Sequence, residues 1–173
     1  MSNYKSLLKN ITTFIFDYDG VLTDGTVILQ ADGEALRTAN VKDGYALQLA
    51  VKKGFNVAII SGGSSSSIAR RFHILKVKDV YLGVESKLEK FHQYIEQKNI
   101  KAEEVLYMGD DIPDYKPMIE SGVPCCPADA ATEIKAISKY ISAYGGGKGC
   151  VRDVIEQTLK VQEKWMTEDG FKW

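Results

Sequence analysis

The sequence predicts an α/β domain: a parallel sheet with helices on both faces. Three observations carry this. Short apolar runs at 11–16, 55–60, 77–82, 105–108, 122–126 and 140–141 alternate with stretches of helical period. The first run is apolar almost throughout, as befits a strand covered on both sides. Polar clusters then follow the first, second and fourth runs: Asp17/Asp19, Ser61/Gly62 and Asp110/Asp111/Asp114. Right-handed crossovers bring the carboxyl ends of parallel strands to one edge, so these three loops converge where open, Rossmann-like sheets hold their ligands.

Each element has its own signal. After the first strand, segments 26–29 and 35–38 flank Asp32-Gly33, a strong hairpin dipeptide. Asn40 to Gly44 lead into a helix whose apolar face is Ala46, Leu49 and Ala50, with Gly54 as its stop. Strand 55–60 ends in Ser61-Gly62-Gly63, and Ile68, Phe72 and Leu75 stripe the next helix. After strand 77–82 and Gly83, Ser86 is a good N-cap for a helix with Leu88, Phe91 and Ile95 inward. Strand 105–108 ends in Gly109-Asp110-Asp111, and the short helix after it should face Met118 and Ile119 inward. Strand 122–126, helix 130–137, strand 140–141 and the glycine-rich stretch 145–149 follow. A last helix from about Val151 turns Val154, Ile155 and Leu159 to the core. The segment after Leu159 gives no clear pattern.

The bulk properties exclude several classes. With 173 residues the chain fits one domain, and 45% hydrophobic with 26% charged residues is ordinary for a globular chain. A net charge of −1 gives no electrostatic footprint for nucleic acid or an anionic membrane. No run nears the roughly 20 apolar residues of a membrane span, and no secretory leader is visible, so the expected compartment is the cytoplasm. Cys125, Cys126 and Cys150 make neither a disulfide framework nor a zinc pair. His73 and His92 read as helix-surface residues, with no second ligand at useful spacing.

The chemistry starts at Asp17-Tyr18-Asp19-Gly20. One Asp ending a strand would be an Asx turn. Two, flanking one residue and followed by glycine, can aim two carboxylates and a backbone carbonyl at one point, a hard oxygen set suited to Mg²⁺. Asp17, Asp19, Asp110, Asp111 and Asp114 together form an acidic nest. Without a cation they would raise one another's pKa values. Ser61 and Lys87 are the polar, non-acidic groups beside the nest, able to bind phosphate oxygens. Position alone favours Lys87 as a solvated helix residue, and Ser61 could be an N-cap as well as a phosphate ligand.

In this order, Asp17-Tyr18-Asp19-Gly20-Val21, Ser61, Lys87 and Gly109-Asp110-Asp111-x-x-Asp114 resemble the four motifs of the haloacid dehalogenase superfamily of phosphatases. Asn40-Val41-Lys42-Asp43-Gly44-Tyr45, Arg71, Tyr81-x-Gly83, the Pro127-Ala128-Asp129-Ala130 segment and the tail from Gly146 to Asp153 are similar to the 3-deoxy-D-manno-octulosonate 8-phosphate phosphatase family. The resemblance covers about 11–156. It implies Asp17 as nucleophile and Asp19 as general acid, then base. Mg²⁺ would be held by Asp17, the Asp19 carbonyl and Asp110, with Asp111 and Asp114 behind them, and Asp114 orienting the metal's waters or Lys87. Ser61 and Lys87 would grip the phosphoryl group. Substrate-binding roles fall to Asp19, Asn40, Lys42, Asp43, Gly44, Gly62, Gly63, Arg71, Lys87, Lys148 and Arg152.

The chain departs from this pattern where the family usually has arginine: at Gly63, Lys42 and Lys148, with Asp153 for glutamate. Lysine lacks arginine's bidentate fork, so the departures bear on sugar-acid recognition rather than on the reaction. Neither interval where a cap domain inserts, 24–40 or 61–87, has room for one. The resemblance therefore implies a homotetramer whose neighbours complete each site, with the hairpin (about 25–39) and the tail (145–152) in place of a cap. Unpartnered, Val27, Ile28 and Leu29 would be an exposed apolar edge. The tail is expected to reach a neighbour's site, although composition alone would make it a flexible loop. A nine-carbon keto-deoxy sugar acid 9-phosphate is the alternative substrate. A phosphoacceptor signalling receiver is the alternative class, and Asp19 speaks against it.

Overall fold

The computed structural model describes residues 4–31, 33 and 35–172. In chain order the elements are α1 (Tyr4–Leu8), β1 (Thr13–Phe16), a hairpin of β2 (Ile28–Leu29) and β3 (Ala35–Leu36), α2 (Val41–Lys52), β4 (Asn56–Ile60), α3 (Ser66–Ile74) and β5 (Asp79–Tyr81). They continue as α4 (Lys87–Lys98), β6 (Val105–Met108), α5 (Tyr115–Glu120), β7 (Val123–Cys126), α6 (Thr132–Ile137), β8 (Tyr140–Ile141) and α7 (Cys150–Val161).

The sheet order is β5-β4-β1-β6-β7-β8, and every pairing in it is parallel. β1 is central and wholly buried. Its alternation splits the core: Phe14 and Phe16 pack with Leu47, Phe72 and Ile155 of α2, α3 and α7, while Ile15 packs with Phe91, Met118 and Ile134 of α4, α5 and α6. Helices thus cover both faces, as the alternating pattern predicts. The local signals hold as well. Asn40 caps α2 by accepting from the Lys42 N–H at 2.8 Å, and Gly54 follows its end with φ +83°. Ser86 caps α4 through the Glu89 N–H.

Four local expectations need correction. Ile119 is 53% exposed, because the six-residue α5 buries Pro117 and Met118 instead. The inner stripe of α4 is Lys87, Phe91 and Tyr94, leaving Leu88 and Ile95 only half-buried. The N-cap of α3 is Ser65, whose side chain accepts from Ser67 N–H, and not Ser61. The hairpin is shorter than its apolar runs, with Ile28 opposite Leu36 and Leu29 opposite Ala35. Gly33 N–H donates to Gln30 O within its turn, while Asp32 lies outside the described residues.

Two segments had no sequence signal. α1 stacks Tyr4 on Tyr140 with ring centroids 4.6 Å apart. The chain after α7 folds back over α2: the Tyr45 hydroxyl donates to Gly170 O, and Lys53 pairs with Asp169 at 2.6 Å. No helix among the described residues is long and apolar enough to cross a membrane.

Candidate active site

The central strand delivers Asp17 to the carboxyl edge of the sheet, where its N–H donates to Met108 O at 3.0 Å. Gly20 takes φ +88°, and a Cβ there would lie 2.0 Å from Asp110 Oδ2, so only glycine admits Asp110 beside this loop. Gly109 likewise makes room for Asp114. The result is a cluster in which Asp17, Asp110 and Asp114 each present an oxygen within 4.8 Å of the others.

Lys87 enters from the first turn of α4 and is 7% exposed. Its ammonium donates to Asp114 Oδ1 at 2.7 Å and forms an ion pair with Asp17 Oδ1 at 2.9 Å, without hydrogen-bond alignment at the latter. Tyr107 donates its hydroxyl to the same Asp114 oxygen at 3.0 Å. The solvated-helix alternative for Lys87 is thereby overturned: it shares the inner face with Phe91 and Tyr94, at i+4 and i+7. Burial pushes the Asp17 carboxyl up to about 6, with the Asp114 charge adding and Lys87 opposing. Burial pushes Asp110 up to about 8, helped by the charges of Asp17 and Asp114. Burial disfavours the Lys87 ammonium, but Asp114 and Asp17 outweigh it and hold its pKa above that of an ordinary lysine.

Above this floor lies an open cleft of about 830 Å³ lined by Asp17, Asp19, Ser61, Gly62, Gly63 and Lys87, among others. Ser61 is buried and its hydroxyl accepts from Gly63 N–H at 3.2 Å, which shapes the turn. Asp19 faces the cleft, gripped on both oxygens by Arg37, a residue the sequence did not mark. Its signal was the alternation along β3 and beyond, where Leu36 faces out and Arg37 faces in.

The remaining sequence-marked residues gather elsewhere. Asn40 donates to Gly147 O at 3.1 Å, Arg71 donates to Asn40 O at 3.1 Å, and buried Asp43 accepts from Arg152 N–H at 2.7 Å. Gly44 gives the Arg71 guanidinium room, and Lys42 is exposed in the first turn of α2. The tail is no loose loop. Gly146 and Gly147 lie against the backbone of Gly20 and Thr23 of their own chain, where any Cβ would clash. Lys148 pairs with Asp24 at 3.3 Å. The Arg152 guanidinium lies over Tyr45 and Trp165 and pairs with Glu156, none of which lines the cleft. Asp111 is exposed and caps the turn after it through Ile112 N–H, outside the cluster.

No family model matches the chain. Its relatives are nonetheless clear. The 3-deoxy-D-manno-octulosonate 8-phosphate phosphatase of Escherichia coli is 35% identical over 156 residues, 90% of this chain and 83% of that protein. The chain belongs to the 3-deoxy-D-manno-octulosonate 8-phosphate phosphatase family. The crystal structure of that phosphatase from Moraxella catarrhalis, in complex with magnesium ion, phosphate ion and KDO molecule, matches with a TM-score of 0.92 at 33% identity. It covers 99% of this chain and 97% of the other. The cobalt-bound enzyme from Haemophilus influenzae matches with a TM-score of 0.90 at 33% identity, covering 95% and 98%. The donor set of this phosphatase-family chain fits such an ion on its own chemistry. Three carboxylates crowd one point, burial and mutual charge raise Asp17 and Asp110, and the buried Asp114 Oδ2 has no hydrogen-bond partner.

Proposed function

We propose that this chain, acting as a single hydrolase domain, cleaves the phosphomonoester of 3-deoxy-D-manno-octulosonate 8-phosphate with Mg²⁺, in the synthesis of a lipopolysaccharide precursor. The observation that carries this is the floor itself: Asp17, Lys87 and Asp110 around one point, with Asp19 two residues on at the cleft. Mg²⁺, held by Asp17, Asp110 and the Asp19 carbonyl, would neutralise charge between carboxylates and phosphate. Asp17 attacks phosphorus and becomes an aspartyl phosphate while Asp19 gives a proton to the departing sugar oxygen. Asp19 then takes a proton from the water that attacks the intermediate. Lys87 and Ser61, with the N–H groups of Gly62 and Gly63, bind the phosphoryl oxygens. Asp114 and Tyr107 hold Lys87 for this work.

The assembly belongs to the same proposal. Ile28 is 58% and Leu29 82% exposed, so the hairpin edge does not pack on its own core. Such a patch favours association, and a homotetramer would roof the open cleft with neighbouring subunits. Lys148, exposed beside Asp24, is then the tail cation offered to the sugar acid, while Arg152, engaged with aromatic rings, is not. Phosphate release from the eight- and nine-carbon substrates, with Mg²⁺ and with chelator, tests the proposal. We expect kcat/KM about tenfold or more in favour of the eight-carbon substrate, a difference of the size one pocket contact gives, and no turnover under chelation. Preference for the nine-carbon substrate would establish the alternative, and a long-lived phosphoprotein without turnover would point to a signalling receiver.

A further inference from the structure

We propose that Arg37 is a positioning residue for the reaction, holding Asp19 in place from the hairpin; this rests on the hydrolase reading above. The geometry is specific. Arg37 Nε donates to Asp19 Oδ1 at 2.6 Å and Nη2 to Oδ2 at 3.0 Å, while Nη1 donates to Ala35 O at 3.0 Å. The guanidinium therefore bridges the backbone of β3 and the Asp19 carboxyl, and its side chain is only 12% exposed. A bidentate fork of this kind fixes both the distance and the plane of a carboxyl group. Among the described residues, the other side-chain hydrogen bond to this carboxyl comes from the Thr23 hydroxyl, at 3.4 Å from Oδ1. Without Arg37 the carboxyl would keep that one long contact and lose the fork that fixes its plane.

The two oxygens of Asp19 differ. Oδ1 is anchored by Nε and Thr23. Oδ2 faces the cleft at Gly63, where an added Cβ would come within 3.0 Å of it and within 3.4 Å of Arg37 Nη2. The absence of a side chain at Gly63 is what leaves space for this fork. We assign proton handling to Oδ2: the Nη2 bond opens to admit the sugar oxygen, and the Nε bond keeps the carboxyl in place. In that step the Asp17–phosphorus bond forms, the phosphorus–oxygen bond to the sugar breaks, and the Asp19 proton goes to the departing oxygen as it becomes an alcohol. Arg37 follows directly on β3, so the hairpin backbone carries the residue that holds the acid.

The test separates leaving groups. A sugar alcohol needs a proton to depart, and a nitrophenolate does not. Single-turnover rates at saturating substrate report departure alone, whatever the affinity. For Arg37→Ala we expect the sugar-acid phosphate to react about 30-fold slower, a part of what a positioned acid contributes. p-Nitrophenyl phosphate should stay within about threefold, since its leaving group makes no demand on that acid. Arg37→Lys, which keeps the charge but not the fork, should fall between. Equal losses on both substrates, or none on either, would overturn the assignment. So would the same split in Leu29→Glu, which disturbs the hairpin without touching Asp19. Failure of the unmodified protein to turn over either substrate would instead overturn the hydrolase reading, and Arg37's role with it.

Discussion

The floor of the cleft and its rim are built in opposite ways. On the floor, Asp17, Asp114, Tyr107 and Lys87 are buried, and each issues from a strand, a helix start or the turn between them. On the rim, the hairpin has two-residue strands, exposed Ile28, Leu29 and Leu36, and a tie to Asp19 through Arg37. The difference follows the chemistry. Any phosphomonoester demands the same attack on phosphorus, so its apparatus can be set rigidly by the core. What distinguishes one sugar acid from another lies further out, along that rim.

The largest test strikes the floor. Asp17→Asn keeps the size and loses the nucleophile, so kcat should drop by about 10⁴-fold or more, as for other enzymes deprived of their nucleophile. Steady-state phosphate release would measure it, and residual activity within tenfold of the unmodified protein would contradict covalent catalysis. Next comes the rim. Leu29→Glu places a charge on the exposed apolar edge and should dissociate the proposed tetramer in sedimentation or scattering. The loss should fall on KM for the sugar-acid phosphate, with the melting temperature of the folded core unchanged. An unaltered oligomer would remove the hairpin from the interface.

The smallest effect is thermodynamic. Asp17 and Asp110 have folded pKa values of about 6 and about 8, above the ordinary carboxylate range. Between the unfolded value and these, the folded protein binds more protons than the unfolded chain, so metal-free stability falls as pH rises from about 4 to about 8. A cation takes the place of those protons. The gain in melting temperature from saturating Mg²⁺ should therefore be greater at pH 8 than at pH 6. A gain independent of pH would mean that the metal does not sit on these two carboxylates.

How much of this was legible in the sequence divides along the same line. The sheet, its central strand and the loops bearing Asp17, Ser61 and Asp110 follow from apolar runs that end in polar clusters, because burial on both faces leaves strands no other pattern. Lys87 was legible in kind but ambiguous in place. Hydrophobicity points to Leu88, Phe91 and Ile95, whereas the buried face is Lys87, Phe91 and Tyr94. Arg37 was missed because its partner stands 18 positions away, and a single arginine just after a short strand looks like any solvated one. The chain after Leu159 is held by hydrogen bonds to Tyr45 and Lys53, contacts that leave no period behind. Asn40 and Asp43 were marked for substrate, and in this chain their polar atoms also tie α2 to the tail, while Arg71 reaches from α3 to the N-cap of α2; motif likeness alone does not separate a ligand contact from a brace.

The brace has a consequence in time. The loop carrying Asp17 is seated by Gly147 N–H donating to Val21 O and by Cys150, whose thiol meets Val21 O from 129 positions downstream. β1 itself is central only once β4 and β6 have joined it on either side. During synthesis, then, the first motif to emerge is among the last to be completed. Contacts of such separation are slow to form, because loop closure comes before any reward. A partly made chain carries its acidic loop without these supports until the segment through Cys150 has arrived.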